Sequence, residues 1–66
     1  MEVPDYILDI IKHNSKLSRK YIDGILKGKI THPIDVESYL EFALAYQKDN
    51  IKLVQELFYG REENTH

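Results

Sequence analysis

The chain has 66 residues, 42% of them hydrophobic and 30% charged, with no cysteine and a formal charge of −2. That is enough apolar material for one small core and too little for a second domain. A disulfide framework and thiolate metal sites are excluded, and no apolar run approaches the roughly 18 residues of a membrane span. Met1-Glu2 begins no basic, apolar leader, so a cytoplasmic domain without membrane contact is expected.

Pro4-Asp5 suits the first turn of a helix, because proline lacks an amide that would be unpaired there. Tyr6, Ile7, Leu8, Ile10 and Ile11 follow at helical spacing, and His13-Asn14-Ser15 reads as the end. A second helix runs from Arg19 to Lys27, with Ser18 as N-cap, a Leu17–Ile22 staple and Gly28 as a left-handed C-cap. At about 100° per residue, Tyr21, Ile22, Ile25 and Leu26 share one side of it, and Arg19, Lys20, Asp23 and Lys27 share the opposite side.

Residues 28–34 form a connection, since Pro33 disfavours helix at His32. Asp35 is placed to cap a third helix through Tyr39, Leu40, Phe42, Ala43, Leu44 and Tyr46. Gln47-Lys48-Asp49-Asn50 reads as a polar break, with Asp49 or Asn50 as the cap of a fourth helix carrying Ile51, Leu53, Val54, Leu57 and Phe58. Gly60 ends that helix, although helices three and four are alternatively one, since neither Gly nor Pro interrupts them. The expected fold is all-α: a small bundle of three to four helices containing a helix-turn-helix-like αα unit, as one domain over residues 1–60 with a polar, disordered tail at 61–66.

The small net charge hides an asymmetry. Residues 1–9 sum to −3 and residues 33–66 to −4, whereas residues 10–32 hold Lys12, Lys16, Arg19, Lys20, Lys27 and Lys29 against Asp23 alone, a sum of +5. Such clustering is the electrostatic footprint of an anionic partner, and double-stranded DNA is the candidate. Arg19 has the fork to pair with guanine. Lys16, Lys20, Lys27 and Lys29 would neutralise phosphates, Ser18 at the helix N-terminus would take a phosphate oxygen, and Asp23 would accept from cytosine. The competing reading is a solvated face, with Arg19–Asp23 and Asp23–Lys27 as i,i+4 pairs.

The stretch Leu17-Ser18-Arg19-Lys20-Tyr21-Ile22-Asp23-Gly24-Ile25-Leu26-Lys27-Gly28-Lys29 resembles the recognition half of Cro-like helix-turn-helix repressors. The resemblance implies that the 18–27 helix lies in the DNA major groove. Upstream the sequence departs from the family, with Lys12 where a small residue is usual and Lys16 where glycine is usual. Tyr21-Ile22-Asp23-Gly24-Ile25-Leu26-Lys27 also looks like the C-terminal signature of DnaD-type replication domains, with Lys29 where that family has Trp. Both resemblances imply a DNA-linked regulator of transcription or replication, of bacterial, phage or plasmid type.

Enzymatic chemistry is not indicated. His13, His32 and His66 are far apart, Asp5/Asp9 and Glu37/Glu41 are solvated-looking pairs, and no phosphate loop is present, so no catalytic residue, metal or cofactor is expected. Tyr39, Phe42, Tyr46, Phe58 and Tyr59 exceed what two short helices bury, which marks a surface for a homodimer or a larger protein partner. The alternative to DNA binding is therefore a helical adaptor or inhibitor that touches no nucleic acid.

Overall fold

The computed structural model describes residues 2–63. They form two antiparallel helices, α1 (Asp5–Leu26) and α2 (Pro33–Glu63), with no strand among the described residues. The all-α class holds, but the bundle of three to four helices does not. α1 runs unbroken through Asn14-Ser15-Lys16-Leu17, so the αα unit with its helix-turn-helix connection is absent and the stretch 18–27 is the second half of one helix and its cap. α2 likewise runs through Gln47–Asn50 and past Gly60, so helices three and four are one. Of the expected tail, residues 61–63 extend α2, and residues 64–66 lie outside the described residues.

The helix ends follow local chemistry. Pro4 precedes α1 in an extended conformation, and its carbonyl accepts from the amides of Ile7 and Leu8 at 3.1 Å. At the far end Lys29 N–H donates to Gly24 C=O and Gly28 N–H to Ile25 C=O, both at 3.0 Å, with Gly28 at φ 75°. This is a Schellman cap, and it needs the left-handed residue that glycine supplies. α2 begins two residues before Asp35, because Pro33 fits the first helical position and His32 caps it. The Ile34 amide donates to His32 Nδ1 at 3.2 Å, which leaves Asp35 in the first turn.

The two helices meet along a seam of alternating three- and four-residue steps: Ile7, Ile11, Asn14, Ser18, Tyr21 and Ile25 on α1, and Val36, Tyr39, Ala43, Tyr46, Asn50, Leu53 and Leu57 on α2. All thirteen are buried or half-buried, and the spacing is that of a coiled coil. The seam has three zones. Near the turn, Tyr21 stands edge-on to Tyr39 at 5.3 Å and stacks on Tyr46 at 6.1 Å. Such pairs contribute about 0.5–1.5 kcal/mol each beyond area burial. Gly24 lies under Tyr39 and Ile30, so the space its missing side chain leaves is filled within the chain. The open ends are aliphatic.

The middle zone is polar. Ser18 and Asn50 are 3% and 6% exposed. Ser18 Oγ donates to Ala43 C=O and Asn14 Nδ2 to Asn50 Oδ1, both at 2.9 Å, and Asn50 Nδ2 donates to Ser15 Oγ at 3.2 Å. No buried side-chain polar atom lacks a partner among the described residues. Ser18 is therefore an interior residue rather than a cap, and Leu17 and Ile22 staple nothing.

Candidate interaction face

A pair of helices side by side is one layer thick. The Cα extents are 46 × 27 × 11 Å, and the radius of gyration is 15.2 Å, against about 11 Å for a compact domain of this length. Ile7 and Ala43 are the only buried hydrophobic residues among the described ones, and no large side chain is fully enclosed. The apolar residues must therefore be outside, and their placement is ordered.

One residue beyond each seam position of α2 from Tyr39 onward lies a second row: Leu40, Leu44, Gln47, Ile51, Val54 and Phe58. Its steps are again four and three, and Gln47 is its one polar member. Leu40, Leu44, Ile51 and Phe58 are each 41–56% exposed. The matching row of α1 is Leu8, Lys12, Ser15, Arg19, Ile22 and Leu26, with Leu26 77% exposed. Both rows lie on one broad face. Gln47 shares a depression there with Ser15, Ile22 and Leu26, and a second depression with Ile11, Ile51 and Val54. Its Nε2 donates to Ser15 Oγ at 3.5 Å and its Oε1 accepts from Asn50 at 3.4 Å, so the middle of this face is joined to the polar zone of the seam.

The aromatic residues expected at a partner surface divide. Tyr39 and Tyr46 are half-buried around Tyr21 inside the hairpin. Phe42 is exposed on the opposite face, Phe58 belongs to the second row, and Tyr59 is exposed beside it. Sequence reasoning missed Leu40, Leu44, Ile51 and Val54. Their signal was a heptad offset by one from another heptad, which leaves α2 without a single apolar side.

The residues expected to touch DNA divide too. Lys16, Arg19, Lys20, Lys27 and Lys29 are all exposed, with Lys16, Arg19, Lys20 and Lys27 on the side of α1 away from α2. Ser18 is enclosed and its hydroxyl is committed to Ala43. Asp23 is half-buried and 3.9 Å from Arg19 Nε, the only ion pair among the described residues. With the Arg19 side chain 81% exposed, such a pair is worth little. The structure thus places Lys16, Arg19 and Lys20 on an unbroken helix packed along its length, with Lys27 and Lys29 at and beyond its cap.

No cluster of His, Asp or Glu among the described residues could hold a metal, and no described helix is long and apolar enough to cross a membrane. The chain matches no family model, no curated protein and no solved structure.

Proposed function

We propose that this chain is a non-enzymatic helical interaction module whose Leu40–Phe58 face docks against a helical protein partner. The observation that carries the reading is the single-layer build, in which a coiled-coil row of large apolar side chains lies uncovered beside an interior that holds two buried hydrophobic residues. Exposed contiguous apolar surface of this kind marks an interaction site, and a heptad row selects a helix to fill it. Two variants test it. Leu44→Glu with Ile51→Glu removes partner binding, while charge reversal at Lys16, Lys20 and Lys27 leaves it intact. The opposite pattern would defeat the reading.

A second reading rests on a different observation, the exposure of Lys16, Arg19, Lys20, Lys27 and Lys29. These side chains suit contact with duplex DNA by phosphate neutralisation, in a regulator of transcription or replication. The unbroken α1 favours backbone contact over a helix inserted in the groove. Affinity would then fall with salt at a log–log slope of about −0.9 per phosphate neutralised. No salt-sensitive binding at micromolar protein would remove this reading.

A further inference from the structure

We propose that the occupant of this face is a second copy of the chain, two hairpins stacking face to face as an antiparallel four-helix bundle with α1 of each copy over α2 of the other. The inference rests on the interaction-face reading and names its partner.

Surface area gives the first argument. The chain exposes 5579 Å², while a compact monomer of 7.8 kDa exposes about 4,400 Å². The surplus, part of which belongs to the chain ends, is of the order of the ~800 Å² that each partner buries in a standard interface. Register gives the second. The uncovered row calls for a helix that presents apolar residues over the same length and a polar group at mid-height. The same face of a second copy supplies a polar centre and apolar ends, with the aliphatic stems of Lys12 and Arg19 between them, because a two-fold axis parallel to the helices keeps every residue at its own height. Ser15 and Gln47, already level with each other in one hairpin, then meet the same polar pair of the other copy at the centre. The apolar ends, Leu8 with Phe58 and Ile22 with Leu40, meet apolar ends. A polar layer between apolar ends is a register device.

Charge selects this axis over the alternative. Residues 10–32 sum to +5 and residues 33–66 to −4. On the face in question Lys12 and Arg19 belong to the α1 row and Glu41 and Lys48 border the α2 row; with Ser15 level with Gln47, the facing helix brings Arg19 within about one turn of Glu41 and Lys12 within about one turn of Lys48. Stacking α1 over α2 sets the +5 segment over the −4 segment and brings Arg19 near Glu41. Stacking α1 over α1 would set one basic edge against another, and like charges brought together oppose association. The two-fold also makes the contact self-complementary and closed.

Sedimentation equilibrium of the full chain from micromolar to submillimolar concentration, with circular dichroism on the same samples, tests the proposal. A helical species of about twice 7.8 kDa is expected, reverting to monomer in Leu44→Glu/Ile51→Glu and persisting in Phe42→Glu on the opposite face. A dimer broken by Phe42→Glu but not by the double variant overturns the choice of face. A monomer that lacks a cooperative melt overturns self-association and leaves the interaction-face reading standing, with another protein as occupant. A monomer that melts cooperatively overturns both. Because the chain has no cysteine, a spin label at Leu26→Cys reads the stacking directly. Turn ends together give a label separation under about 20 Å, whereas turn ends apart give roughly the 33 Å length of a 22-residue helix and overturn the proposed axis.

Discussion

The two broad faces of this hairpin are made by the same helices and differ in what α2 contributes. On one face α2 offers Leu40, Leu44, Gln47, Ile51, Val54 and Phe58. On the other it offers Asp35, Ser38, Phe42, Ala45, Asp49, Lys52, Glu56 and Tyr59, with Phe42 and Tyr59 the large apolar groups. On α2 the second face is the more polar of the two, although α1 adds exposed Tyr6 and Ile10 to it. Since the seam between the helices is common to both, the difference cannot serve the hairpin's own packing. In the proposed reading it serves whatever completes the layer.

Substitutions can widen or erase that contrast. The largest effect is expected for Leu44→Glu with Ile51→Glu, which puts two carboxylates into a seam that needs burial. A loss of about 3 kcal/mol or more is expected in chemical denaturation at high protein concentration. Tyr21→Ala is next. It removes the ring around which Tyr39, Phe42 and Tyr46 gather and should cost about 2–4 kcal/mol, because it damages the support of both faces alike. Asn50→Ala should cost about 1–3 kcal/mol, because it strands the Asn14 amide and releases Ser15 and Gln47. A double-mutant cycle with Asn14→Ala should return a coupling of about 0.5–1.5 kcal/mol. His32→Ala should cost about 0.5–1 kcal/mol by removing the side-chain cap of α2, measurable as a small drop in Tm. Smallest of all, Ala45→Glu on the more polar face of α2 should stay within about 0.5 kcal/mol, and a larger loss would mean that this face is covered as well.

Part of this was legible in the residues. The all-α class followed from helical spacing without strand alternation. The Gly28 cap followed from a residue with unusual conformational freedom, whereas the restart expected at Asp35 falls at Pro33. The breaks at Asn14-Ser15 and Gln47–Asn50 did not materialise, for a definite reason. Asn and Ser favour caps and turns by only fractions of a kcal/mol, and here they sit at seam positions opposite one another. There each hydrogen bond offsets that preference. Turn chemistry and interior polar pairing use the same residue types, so one helix alone cannot distinguish them. The cationic edge was legible from charge order, but the continuous helix that carries it was not, since that depends on α2. The second apolar row was hidden because two heptads offset by one residue merge into an unstructured scatter of leucines and isoleucines.

An 11 Å thickness has a consequence for abundance. In a chain this thin no backbone lies more than one helix radius from solvent, so an unpaired copy opens readily and proteases meet it in that state. In the proposed dimer, pairing would shift the balance by mass action, and turnover would follow concentration, with solitary copies cleared and assembled ones enduring. The protein's lifetime in a cell would then gauge how much of its complement is present.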